Sequence, residues 1–127
     1  MIATQTDLAD TFAGIHSARE MGYALADFVD RFNRDPNPDM IVREPALLRE
    51  MLHDDGLADG YLAATAAWLC RQHGLPVPQW ASGSSRALSA PWFAAQTANL
   101  RALLLQESPA EFRTRNIFVS ANALSRA

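Results

Sequence analysis

Residues 17–38 read SAREMGYALADFVDRFNRDPNP, and this stretch decides the fold class. Ser17 and Glu20 have the spacing of a capping box, in which the Ser17 hydroxyl accepts from the Glu20 amide and Glu20 reaches back. Behind the cap, Met21, Leu25, Phe28, Val29 and Phe32 recur at helical spacing, with Ala24 filling the stripe. Asp27–Arg31 and Asp30–Arg34 are acid-before-base pairs four apart, the favoured orientation on an exposed helical face. Pro36 and Pro38 end the run. The pattern predicts a helix of about 17 residues.

Working outward, a short helix is expected over Asp7–Gly14, starting at Thr6 and presenting Leu8, Phe12 and Ile15. After the stiff loop at 35–39, Met40–Val42 reads as a short extended piece. Pro45 suits a first helical turn, with Glu44 as an imperfect cap and Leu47, Leu48, Met51 and Leu52 as the buried stripe. His53-Asp54-Asp55-Gly56 breaks that helix. The next runs from about Leu57 to His73, burying Leu57, Tyr61, Ala64, Trp68 and Leu69. Gly74, Leu75 and Pro76 are a helix-stop signal.

Residues 75–96 are the irregular segment, with Pro76, Pro78, Trp80, the run Ser82-Gly83-Ser84-Ser85, and Pro91-Trp92-Phe93. Two tryptophans there imply that it packs back onto the helices. Thr97 suits the cap of a helix carrying Leu100, Leu103 and Leu104. Ser108-Pro109-Ala110-Glu111 reads as a second capping box, ending near Arg115 with Asn116 as a left-handed cap. Ile117-Phe118-Val119 reads as extended, and Ser120 as the cap of a last turn through Leu124. The expectation is one all-α domain over 1–127, with about six or seven helices and incidental strand.

Composition agrees. The chain has 127 residues, 49% hydrophobic and 20% charged, which is globular and excludes wholesale disorder. Alanine and leucine supply 38 residues and all 11 basic residues are arginine, a mix that favours helix and fits a GC-rich coding sequence. The single cysteine, Cys70, excludes an internal disulfide framework and suits a reducing, cytoplasmic setting. Mean hydropathy is −0.10, and the longest nearly apolar run, Tyr61–Cys70, is half what a bilayer span requires. The opening residues carry acids and no apolar core, so neither signal peptide nor membrane is expected.

Net charge is −3, but it is split. Residues 1–60 hold 12 acids against 5 arginines, net −7, and residues 61–127 hold 2 acids against 6 arginines, net +4. Such asymmetry points either to an electrostatic partner or to two halves that cancel by folding together.

No motif in the chain carries recognisable catalysis. Cys70 and His73 share a helical face, yet they sit in the last turn, where the dipole opposes a thiolate. Three histidines and one cysteine show no metal-ligand spacing, so no metal and no cofactor are expected. Asp54, Asp55 and Asp59 lack the spaced oxygens of a calcium loop and read as a solvated acidic turn. Ser82-Gly83-Ser84-Ser85-Arg86 lacks the ending of a phosphate-binding loop. Arg101, Arg113, Arg115 and Arg126 make the tail basic. A pI near 5.5 and the lack of a reading helix nonetheless place carboxylate-bearing proteins ahead of nucleic acid as partners.

The segments Leu75-Pro76-Val77-Pro78-Gln79-Trp80, Pro91-Trp92-Phe93, Leu100-Arg101-Ala102, Glu107 to Arg113 and Asn116-Ile117-Phe118-Val119 resemble a family of small, poorly characterised actinobacterial proteins. Some members resemble antitoxins encoded beside a toxin, notably of nucleotidyltransferase type, and related segments follow helix-turn-helix domains. The resemblance covers roughly residues 57–127. It implies a non-enzymatic, antitoxin-like protein–protein interaction module. The alternative is a nucleic-acid-binding transcriptional regulator using the arginine-bearing C-terminal half. The residues expected to meet a partner are Asp54, Asp55, Asp59, Trp92, Phe93, Arg113 and Arg115, and a homo-oligomer is compatible with the pattern.

Overall fold

The structure, a computed structural model, describes residues 6–124. Its helices are α1 (Leu8–Thr11), α2 (Ala18–Arg34), α3 (Arg49–Leu52), α4 (Leu57–Gln72), α5 (Ala98–Glu107) and α6 (Ala110–Arg113). Short 3-10 turns occupy Pro38–Met40, Gln79–Ser82 and Ser84–Arg86. Strands β1 (Trp92–Phe93) and β2 (Ile117–Phe118) pair in parallel, Trp92 opposite Ile117 and Phe93 opposite Phe118. The fold is all-α.

α2 forms as its residues dictate. The Ser17 Oγ accepts from the Glu20 amide at 3.1 Å, and Met21, Leu25, Phe28, Val29 and Phe32 are buried. The stripe packs against α4, which is the axis of the molecule. α4 does not bury a stripe. Eleven of its sixteen residues are buried, including the alanine run Ala63–Ala64 and Ala66–Ala67, because α2, α3, α6 and the two 3-10 turns within 79–86 enclose it. Its small side chains let those neighbours approach closely, whereas Leu57, Tyr61 and Trp68 reach the half-buried margin. Gly74 takes φ 67°, and the Leu75 amide donates to the Cys70 carbonyl at 2.8 Å, the closure of a Schellman motif.

A charged network pins the irregular segment to this axis. Arg86 and Asp59 are both wholly buried, Arg86 Nη1 lying 3.8 Å from Asp59 Oδ1. Arg86 Nη2 donates to Glu44 Oε2 at 3.0 Å and to the Pro45 carbonyl. The Arg86 guanidinium lies 5.0 Å from the ring centre of Trp80, whose Nε1 donates to the Ile41 carbonyl at 2.9 Å. Asp59 accepts from the Leu48 amide at 2.6 Å and from Arg49 Nε at 3.0 Å. Buried charges persist only when paired and hydrogen-bonded, and both are.

That network explains why part of the expected pattern did not form. Residues 45–48 are not helical: Arg86 occupies the Pro45 carbonyl and Asp59 the Leu48 amide, so the backbone is held by side chains. Helix α3 is therefore one turn. Leu48 is buried, while Leu47 and Met51 face water. Glu44 pairs with Arg86 and caps nothing. Met40, expected in an extended piece, closes a 3-10 turn. α1 is shorter than expected and starts from Asp7, whose Oδ1 accepts from the Asp10 amide at 2.9 Å.

The second capping box is also absent. Ser108 is buried, with its Oγ 2.6 Å from the Leu104 carbonyl and 2.9 Å from the Val119 carbonyl, and it accepts from the Val119 amide. The hydroxyl thus joins the end of α5 to the chain after β2, and Pro109 stands at the α6 cap position. Residues 121–124 form turns, with Ser120 Oγ accepting from the Asn122 amide at 3.3 Å. Met1–Gln5 and Ser125–Ala127, with Arg126, lie outside the described residues.

Candidate interaction surface

Between α2 and α4 runs an apolar groove of about 340 Å3. On α2 it is lined by the buried Met21, Leu25 and Val29, with Ala18, Gly22 and Ala26 nearer the solvent. Leu52, Leu57 and Tyr61 form the opposite wall, and Trp92 and Leu124 also line it. Asp54 brings a carboxylate to this lining. Asp54 accepts from the Gly56 amide at 3.0 Å and the Ala58 amide at 2.8 Å, so it caps the start of α4 and is held in place.

Gly22 is in the body of α2, where glycine is unfavourable by roughly 0.5–1 kcal/mol relative to alanine. A Cβ there would meet nothing within 4 Å, so no neighbouring chain segment requires the glycine. The i, i+4, i+8 spacing of Ala18, Gly22 and Ala26 was visible in the sequence, but the larger residues beside it dominate the apolar pattern.

The structure brings only some of the expected partner-binding residues together. Asp54 and Trp92 share the groove, with Asp55 exposed on the adjoining turn. Phe93, next to Trp92, stacks on Phe118 at 4.8 Å and lies 5.5 Å from the Arg101 guanidinium. Asp59 is not on a solvated turn: it is wholly buried and its oxygens are occupied by Leu48 and Arg49. Arg115 is half-buried and donates to the carbonyls of Glu111 at 2.5 Å and Ala81 at 2.7 Å. Burial holds the Arg115 pKa below its ordinary value. Arg113 is exposed.

Other chemistry-bearing residues are separately engaged. Burial pushes the Cys70 thiol up to about 11, so it is protonated at neutral pH. His73 Nε2 lies 2.8 Å from Asn33 Oδ1, and its ring meets Phe32 edge-on. Among the described residues no group of three or more His, Cys, Asp or Glu side chains is placed to hold a metal, and no helix is long and apolar enough to cross a membrane.

Sequence reading missed the surface of α5. Thr97 caps it, its Oγ1 accepting from the Leu100 amide at 3.2 Å, but only Leu104 is buried. Leu100, Leu103 and Leu105 are each about half exposed, at 51%, 49% and 49%. Three exposed leucines on ten residues make this the most apolar uncovered helix described. Comparison with known protein families, curated proteins and solved structures found no match to the chain.

Proposed function

We propose that this chain is a non-enzymatic protein–protein interaction module that neutralises a partner protein, in the manner of an antitoxin. The observation that supports the reading is the direction in which the two charge surpluses face. Four acids of the first half stand in water: Asp35, Asp39, Glu50 and Asp55 are all exposed. Arginines of the second half are largely turned to the fold's own use. Arg86 is buried on Glu44 and Asp59, Arg115 serves carbonyls, and Arg71 pairs with Glu111 at 2.7 Å. Exposed acids of this kind suit a basic protein surface that receives nucleotide or RNA, and covering such a surface would block substrate entry. The same arrangement leaves few arginines free to meet phosphate.

Co-expression with the product of the adjacent gene tests the reading. Copurification of the untagged neighbour at micromolar concentration and relief of its toxicity are expected. A variant carrying Asp35→Asn, Asp39→Asn, Glu50→Gln and Asp55→Asn should fold like wild type, bind more weakly, and show a shallower salt dependence. Absence of any complex overturns the reading. Tight duplex binding that weakens steeply with salt would favour the nucleic-acid alternative.

A further inference from the structure

We propose that α5 is a strap that melts by itself, from Ala98 toward Leu104, while the rest of the fold stays closed. What holds α5 to the molecule is gathered at one end. Leu104 is the only buried residue of its ten, against five of seventeen in α2 and eleven of sixteen in α4. The last turn is tied down. Ser108 Oγ lies 2.6 Å from the Leu104 carbonyl and accepts from the Val119 amide at 2.9 Å, and Glu107 Oε1 accepts from the Ala121 amide at 3.1 Å. Among the described residues, the polar contacts of the first turn run only to residues that lead into it. Thr97 Oγ1 accepts from the Leu100 amide at 3.2 Å, and Arg101 Nε donates to the Ala95 carbonyl at 3.2 Å. The Arg101 guanidinium also lies 5.5 Å from the centre of the Phe93 ring, but Arg101 is exposed, and such a contact is weak beside burial.

A helix of ten residues is below the ~12–15 at which a chain holds helix in water by itself, so α5 depends on packing. That packing is one leucine near its far end. Leu100, Leu103 and Leu105 are about half exposed already, so melting the first two turns uncovers little further apolar surface. Melting also leaves both ends of the segment in place. Phe93 stays paired with Phe118 and Ser108 stays on Val119, so the open form is a longer loop between two fixed points. The entropy of closing a loop grows only slowly with its length. Elements with few buried contacts open at lower free energy than the core. Opening takes the Arg101 guanidinium off the Phe93 ring and bares that side of the Phe93–Phe118 stack, so the strap gates one face of the β1–β2 pair.

Amide hydrogen exchange of the full native chain reads this opening residue by residue. The amides of Arg101, Ala102 and Leu103 should be protected at least about a hundredfold less than those of residues 62–69 in α4. Their exchange should stay flat in low urea while that of α4 rises, because local melting exposes little surface. Val29→Ala separates local from global opening. Val29 is buried in the α2 stripe that packs on α4, and its truncation should speed α4 exchange about tenfold. Exchange at Arg101, Ala102 and Leu103 should not change, because melting α5 leaves Val29 in place. Acceleration of those three amides in step with α4 overturns the proposal, since α5 would then open only with the whole fold. Protection of the three equal to that of α4 in the wild type overturns it as well.

Discussion

Arg86 Nη1 and Asp59 Oδ1 lie 3.8 Å apart, and neither side chain has any exposure to water. One comes from the loop-rich segment and the other from the first turn of α4, so the pair ties the irregular segment to the molecular axis. Glu44, Arg49 and two backbone carbonyls complete the shell. Removing one partner takes away part of the other's shell: Asp59 keeps Arg49 and the Leu48 amide, and Arg86 keeps Glu44 and the Pro45 carbonyl. Arg86→Met and Asp59→Ala should each lower stability by about 1–3 kcal/mol, and the double variant by less than their sum. Urea denaturation checks this, and a loss below ~1 kcal/mol for either single variant would show the network to be dispensable.

Gly60 and Gly22 both sit inside long helices but should respond oppositely to alanine. At Gly60 a Cβ would lie 3.0 Å from Ile117 Cδ1 and 3.3 Å from the Arg86 carbonyl oxygen, a backbone atom with little freedom to retreat. Gly60→Ala should destabilise despite its better helix propensity. Gly22→Ala meets nothing and should stabilise by about 0.5–1 kcal/mol, measured in dilute solution. Equal effects at the two positions would contradict the packing around Gly60.

The two arginines of the tail separate in the same way. Arg115→Glu removes donors from the carbonyls of Glu111 and Ala81 in a half-buried setting and should cost about 1–3 kcal/mol. Exposed Arg113 should tolerate Glu within about 0.5 kcal/mol. Thermal melts of the two single variants distinguish them. An Arg115→Glu chain that melts like wild type would refute the internal role.

Arg43 holds Asp7 by a hydrogen bond at 2.9 Å, and this bond keeps the Asp7 carboxyl below the usual carboxylate range. A lowered folded-state pKa stabilises above the unfolded value, and the benefit is lost as pH falls through the folded value. Arg43→Ala should therefore lower the melting midpoint modestly at pH 7. The difference from wild type should shrink below about pH 4 as Asp7 protonates. A difference that grows on acidification would reverse the sign.

Cys70, wholly buried and with its thiol pushed up to about 11, should alkylate slowly in the native chain and rapidly in denaturant. Labelling at equal rates in the two conditions would place the thiol at the surface.

Features carried by contiguous residues were legible in the chain itself. The Ser17 cap, the Met21–Phe32 stripe, the Gly74-Leu75-Pro76 stop and the left-handed Asn116 at φ 64° need only near neighbours to form. Local spacing could equally show Thr97 capping α5. It could not show whether anything covers Leu100 and Leu103, because burial depends on which segments arrive there. The fate of the charges was likewise decided by the tertiary structure. Asp59 reads as one more acid after Asp54-Asp55, and only the arrival of the Leu48 amide, Arg49 and Arg86 around it makes a buried carboxylate tolerable. The same contacts hold residues 45–48 out of a helix that their sequence favours. Helix propensity is worth a few tenths of a kcal/mol per residue, and satisfying a buried ion pair is worth several. Where the two conflict, the non-local term prevails.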